Sequence, residues 1–176
     1  MRRVRSTGAA QRGFTLLELI LVMIVIFTLA TVVAPRFSDF FPNFQVKKNA
    51  EHLFAWARKA RSDAALTGTR QRLLMDSSKK KYWIEYEARP IKEPGKFKLL
   101  SGAWGEGYLP DEVVFETIEG AETDPSNGGV RYIEFRPDGT STEATVVLSN
   151  DNNDRQTLRV EAATSKVFIE AAKEQK

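Results

Sequence analysis

Residues 14–34 read FTLLELILVMIVIFTLATVVA, 21 positions with one charge, Glu18, and neither glycine nor proline. At ~1.5 Å per residue such a run makes a helix of ~31 Å, which matches a hydrocarbon layer of ~30 Å. A removable secretory signal wants an apolar run of about 7–15 residues with a small-residue cleavage site behind it. This run is longer and continues into Val32-Val33-Ala34-Pro35-Arg36, so the pattern predicts a single membrane-spanning helix over 14–34. Before it stand Arg2, Arg3, Arg5 and Arg12 with no acid. They take four of the 26 cations and leave 22 against 23 acids in the remainder. The net charge of +3 therefore belongs to the first 13 residues and carries no argument for a nucleic-acid partner.

Glu18 is the informative position. A carboxylate held in lipid costs about 2.5–3.5 kcal/mol on insertion scales, and such groups usually face a partner. The run contains no base; the nearest flanking cations are Arg12 and Arg36. Two readings are open: Glu18, five residues into the run, reaches interfacial water, or it meets a cation that the sequence alone does not name.

The segment Arg12-Gly13-Phe14-Thr15-Leu16-Leu17-Glu18-Leu19 resembles the class III leader of type IV pilins and type II secretion pseudopilins. The match covers the basic leader, the glycine, the phenylalanine, the glutamate four residues on and the uninterrupted apolar run up to Pro35. The resemblance implies that a prepilin peptidase/methyltransferase cleaves between Gly13 and Phe14 and leaves N-methylphenylalanine at Phe14. It also implies that Glu18 serves assembly by pairing with the Phe14 ammonium, in the same subunit or a neighbouring one. Independently of the family, a glycine before the scissile bond lets a protease cleft grip bare backbone.

Beyond the run, Ala50, Leu53, Phe54, Ala57, Ala60 or Arg61, and Ala64 recur at helical spacing, so an amphipathic helix half is expected over 35–67. Pro35 and Pro42 predict a bend or break between them. Phe37, Phe40, Phe41 and Phe44 suit either an aromatic belt at a membrane interface or packing against neighbouring helices. Gly68 is placed to end the helix as its C′ residue. From 68 to 172 the pattern is β: strands are expected at 70–75, 81–87, 113–118, 132–135, 145–148, 157–160 and 166–170. A hairpin is expected around Asp76-Ser77-Ser78-Lys79, mostly a long surface loop over 88–111, a polar loop over 123–129, and a turn at Pro137-Asp138-Gly139. The expected class is α+β, a long N-terminal helix on an antiparallel sheet or sandwich, divided as 1–13 leader, 14–34 membrane half, 35–67 amphipathic half and 68–172 β domain.

The closing block, with its Phe135-Arg136-Pro137-Asp138-Gly139 turn and final hairpin, is similar to the C-terminal domain of the GspH/FimT family, the H class of minor pseudopilins of type II secretion. That family often carries Gly-Arg before its last strand where this chain has Ser165-Lys166. The resemblance implies a structural subunit of a periplasmic fibre, anchored in the bacterial inner membrane with its N-terminus cytoplasmic and its β domain periplasmic. Other pseudopilins, the prepilin peptidase and an inner-membrane assembly platform would be its partners. The alternative is a minor pilin of a type IV pilus, serving adhesion, motility or DNA uptake.

Catalytic chemistry finds no foothold. Zero cysteines and a single histidine, His52, exclude disulfides and thiolate sites and argue against a triad or a multi-histidine zinc site. His52 reads as a surface or packing residue. Asp151-Asn152-Asn153-Asp154 invites a calcium loop but lacks the glycine and terminal glutamate in register, so a solvated hairpin tip is the competing reading. Glu116, Glu119, Glu122 and Asp124 read as an acidic surface. No enzyme activity, cofactor, metal or nucleic-acid partner is expected.

Overall fold

The computed structural model describes the chain over residues 15–38 and 40–171, with side chains over 15–30 and 44–170. The chain divides into two units, the first ending at Asp39 and the second beginning at Phe40. Helix α1 spans Leu16–Ser38 and helix α2 spans Phe40–Thr67. Asp39, within the interval bracketed by Pro35 and Pro42 where a bend or break is expected, lies outside the described residues. Pro42 falls in the first turn of α2, where a missing N–H is no loss.

Helix α2 buries Val46, Ala50, Leu53, Ala57, Ala60 and Ala64 at 1% exposure or less, one stripe with steps of three and four residues. Four alanines in that stripe let the helix backbone approach the sheets closely. Ala60 rather than Arg61 takes the core position, and Arg61 is exposed. Trp56, which the periodicity argument passed over, is also buried, while Phe54 is only half-buried. Gly68 closes the helix at φ +66, its N–H donating to Ala64 O at 3.1 Å, as a C′ glycine should.

Among the described residues ten strands follow: β1 Gln71–Asp76, β2 Lys81–Glu87, β3 Phe97–Leu99, β4 Glu106–Tyr108, β5 Val113–Glu119, β6 Glu122–Asp124, β7 Asn127–Phe135, β8 Ala144–Asn150, β9 Arg155–Val160 and β10 Val167–Ala171. They form two antiparallel sheets, one in the order β3-β2-β1-β7-β6 with β4 also on β2, the other in the order β10-β9-β8-β5. Helix α2 contacts strands of both. A single cluster joins its buried stripe to Leu73, Met75, Ile84, Ile133 and Phe135 of the first sheet and Val146, Leu148, Leu158 and Val160 of the second. The α+β expectation stands, with the sheet resolved into two.

The β1–β2 hairpin forms as expected, in register from Gln71↔Tyr86 to Asp76↔Lys81. Its turn is held by Asp76 Oδ1, which accepts from the Ser78 and Lys79 N–H groups at 3.0 and 3.1 Å. Two expectations need refinement. The 88–111 segment is not all loop: β3 and β4 pair with opposite ends of β2 around a short 3-10 turn at Gly102–Trp104. The 123–129 stretch is a hairpin between β6 and β7, because edge strands facing water tolerate polar residues that read as loop. The turn expected at Pro137-Asp138-Gly139 forms, closed by the Arg136 N–H donating to Thr140 O at 2.9 Å and by an antiparallel bridge between Phe135 and Ser141. It carries the chain from β7 in one sheet to β8 in the other.

The departure at Ser165 has a local account. Ser165 sits at φ 49, a region that favours glycine, and its hydroxyl donates to Gly139 O at 2.8 Å. This bond ties the last turn to the sheet-switching turn and offsets part of the strain.

Gly120 provides a stability test of the same kind. It sits at φ +74, and a Cβ there would lie 2.4 Å from Glu143 O. Gly95 has φ +81 with nothing within 4 Å. Gly95→Ala should cost ~1–2 kcal/mol, the left-handed penalty alone. Gly120→Ala should cost at least ~2 kcal/mol more, because backbone must shift as well. Denaturant titrations of the two full-length variants compare them directly; equal midpoints would remove the close-approach argument.

Candidate functional site

In α1 every large apolar residue from Leu16 to Leu29 is at least 47% exposed. A helix apolar on all sides demands lipid or other helices as its surroundings. Among the described residues no helix is long and apolar enough to cross a membrane; the described side chains of α1 stop at Ala30, so the expected 14–34 span overruns them at both ends. Gly13 and Phe14, the expected processing site, lie outside the described residues. Glu18 is exposed in the first turn of α1. Its N–H donates to Thr15 Oγ1 at 3.2 Å, and Leu19 N–H donates to Thr15 O at 3.2 Å. Thr15 is therefore the helix N-cap, with Glu18 at the third helical position of a Thr-x-x-Glu pattern. That cap was readable from the residue spacing and was missed. Of the aromatic quartet, Phe44 is described and is 62% exposed; Phe37, Phe40 and Phe41 have no described side chains.

The first sheet carries an ion network on the face opposite α2. Arg72, Glu85 and Glu134 share a row across β1, β2 and β7. Arg70 forks onto Glu87 at 2.6 and 2.9 Å. Glu134, 5% exposed, faces Arg72 at 2.9 Å, Arg136 at 3.5 Å and Arg70 at 3.7 Å. The Arg72 guanidinium lies 3.6 Å from the Phe97 ring centre and 4.3 Å from that of Tyr132, flanked by two aromatic faces. Tyr132 donates its hydroxyl proton to Glu122 at 2.6 Å, and Thr142 donates to the same carboxylate at 3.0 Å. The alternation of Arg70/Arg72 and Glu85/Glu87 at strand period is a signal of this face that the sequence reading left unused, and pairing with β7 joins Glu134 to it.

The network sets a pH window. The fork from Arg70 holds the Glu87 carboxyl below its ordinary 4.5, outweighing the burial that pushes it up. The Tyr132 hydroxyl holds Glu122 below the same value. Burial, helped by the bond to Glu122, pushes the Tyr132 phenol up to about 12. A depressed carboxyl contributes stability above its unfolded pKa and loses it as pH falls through the folded value. A raised phenol contributes stability below its unfolded value, ~10, and loses it as pH rises toward the folded one. Melting temperature should therefore be flat between about pH 5 and 9 and decline on both sides. A melt series against pH tests this; a maximum confined to low pH would contradict it.

Asp151 to Asp154 form the tip of the β8–β9 hairpin, organised by Asn150. Its Oδ1 accepts from the Asn152 and Asp154 N–H groups at 3.1 and 2.9 Å, and its Nδ2 donates to Asp154 Oδ2 at 3.0 Å. Among the described residues no cluster of acids and histidine could hold a metal ion. In the acidic group, Glu116 pairs with Arg155 at 2.7 Å, whereas Glu122 belongs to the network above.

His52 is exposed on α2 and lines a groove of about 500 Å³ with Trp56, Tyr82, Trp104 and the β4 residues Glu106, Gly107 and Tyr108. Trp56 meets Tyr82 and Trp104 edge-on at 5.0 and 5.6 Å. Gly107 is required here, since a Cβ would lie 2.4 Å from the Tyr82 ring. The aromatic rings of this groove serve the junction of helix and sheet.

A helix laid on two antiparallel sheets, behind an apolar helical segment capped at Thr15, defines the pilin-like class of α+β domains. Residues 49–164 match the model of the family described as type II transport protein GspH; the chain belongs to this family. Among solved structures it is similar to the minor pseudopilin EpsH of the Vibrio cholerae type II secretion system, in two determinations. One has TM-score 0.58 and 11% identity, covering 72% of this chain and 97% of that one. The other has TM-score 0.59 and 10% identity, covering 76% and 99%. The type IV minor pilin FimU of Pseudomonas aeruginosa aligns with TM-score 0.49 and 16% identity over 74% of this chain and 92% of that one. At 10–11% identity the likeness to EpsH is one of fold. Compared by sequence, no curated protein matches the chain.

Proposed function

We propose that this chain is a minor pseudopilin, a structural subunit of the periplasmic fibre of a type II secretion system that drives folded proteins across the outer membrane. The family match over 49–164 carries this reading. The leader motif and the exposed apolar helix agree with it. In this reading the prepilin peptidase/methyltransferase cleaves between Gly13 and Phe14 and methylates Phe14. The 14–34 helix sits in the inner membrane until the assembly platform draws it into the fibre. The β domain then offers contacts to neighbouring pseudopilins and performs no reaction of its own.

Intact-mass analysis of the full chain recovered from host membranes tests the processing half. The expected species lacks residues 1–13 and carries one methyl group on Phe14. A chain that retains the leader, or one cut after Ala34, would sink the reading. Deletion of the gene tests the other half: folded exoproteins should accumulate in the periplasm and be released again on complementation.

A further inference from the structure

Exposed strand edges invite pairing, and folded proteins blunt them with shortness, bulges or charge. In this chain β3, β4 and β6 are each three residues long, and β6 also slips register against β7. Edge strand β5 carries a bulge between Phe115 and Thr117. Strand β10 is five residues long and has no bulge, and its charges, Glu170 and the flanking Lys166, are of opposite sign. It runs in unbroken register with β9 from Val167↔Val160 to Ala171↔Gln156, contains no proline or glycine, and has no described strand on its outer side.

Its pattern is self-complementary. Glu161 N–H donates to Lys166 O at 3.0 Å, so the backbone groups of Lys166, and by alternation those of Phe168 and Glu170, turn toward β9. The N–H and C=O groups of Val167 and Ile169 then point outward. The side chains of Val167 and Ile169 turn toward the core, whereas Lys166, Phe168 and Glu170 are exposed, Phe168 at 40%. The outer face thus reads cation, aromatic ring, anion, and neither Lys166 nor Glu170 forms an ion pair with a described residue.

We infer that β10 is a docking edge for a second copy of this chain, which pairs antiparallel about a two-fold axis through Phe168. In that register Val167 and Ile169 of one copy form hydrogen-bonded pairs with Ile169 and Val167 of the other, using the outward backbone groups. Phe168 meets Phe168 in a non-hydrogen-bonded pair, where side chains approach most closely. Lys166 faces Glu170 of the second copy, and Glu170 faces its Lys166. Registers centred on Val167 or Ile169 would instead set Lys166 against Phe168 or Phe168 against Glu170 and lose the charge pairing. Five residues of strand make a small contact, suited to a transient pair. The inference rests on β10 alone and is independent of the fibre reading.

The natural chain has no cysteine, so a single introduced thiol reports one contact. Full-length Phe168→Cys in detergent micelles, treated with diamide, should form a disulfide dimer on a non-reducing gel. The two-fold pair sets the Cα atoms ~4.5 Å apart, within disulfide range. Val114→Cys on β5, on the opposite edge, should yield ~10-fold less, because it lacks a partner at that distance. In the Phe168→Cys background, Lys166→Glu should lower the yield several-fold, and Lys166→Glu with Glu170→Lys should restore it. Equal cross-linking at both edges, no dimer at all, or a charge swap that fails to restore it would each overturn self-pairing; the last would point to a different protein on this edge.

Discussion

Glu134→Gln should lower the stability of the second unit by ~2–3 kcal/mol, a fall in melting temperature of ~6–12 °C for a domain of this size. The carboxylate is 5% exposed and faces Arg72, Arg136 and Arg70 at 2.9, 3.5 and 3.7 Å. Glutamine keeps the volume and one acceptor but leaves the cations short of a counter-charge. The figure lies at or below the bottom of the ~3–5 kcal/mol usual for breaking a buried pair, because the arginine side chains are 18–37% exposed and water shares the penalty. Glu143→Gln is the matched control: its 3.8 Å pair with Arg159 is exposed at 51% and 66%, and such pairs contribute ~0–1 kcal/mol. Thermal melts of the two full-length variants decide the matter. Indistinguishable values would mean that the network on the first sheet adds nothing net to stability.

Glu18→Leu should leave membrane insertion intact or improve it, since a desolvated acid is removed. Incorporation into the fibre should fall by ~10-fold or more, equivalent to ~1.4 kcal/mol of lost pairing with the Phe14 ammonium. The helix cap does not confuse this test, because the bond to Thr15 Oγ1 comes from the Glu18 backbone N–H, which leucine retains. Glu18→Gln isolates the charge at nearly constant shape. Co-purification of tagged full-length chain with the other fibre subunits reads the effect. Normal incorporation of both variants would show that the pairing is dispensable and favour the interfacial reading of Glu18.

Much of the local structure was legible in residue order. The stripe from Ala50 to Ala64, the stop at Gly68 and the hairpin around Asp76 rest on interactions within a few residues, and all three formed where expected. Errors arose where polar composition masked strand. Segments 97–99, 106–108, 122–124 and the start of β7 lie at sheet edges or face water, so their side chains need not alternate in polarity. Two glycines in Trp104-Gly105-Glu106-Gly107-Tyr108 suggested loop, yet Gly107 is small because the Tyr82 ring lies over it.

Residue order alone determined the apolar helix, its Thr15 cap, the helix that lies on the sheets and the leader motif whose cleavage is proposed, because each depends on neighbours along the chain. Only the tertiary structure decided that β7 pairs with β1, as in Arg72↔Glu134, while β8, a short turn later, belongs to the other sheet. That choice assembled the arginines and glutamates of the first sheet into one network and left β10 at an open edge. The reason is physical: a strand's pairing is settled by which neighbour buries its apolar face best, and for Ile133 and Phe135 that neighbour is a strand 62 residues away along the chain, as the Arg72–Glu134 bond records.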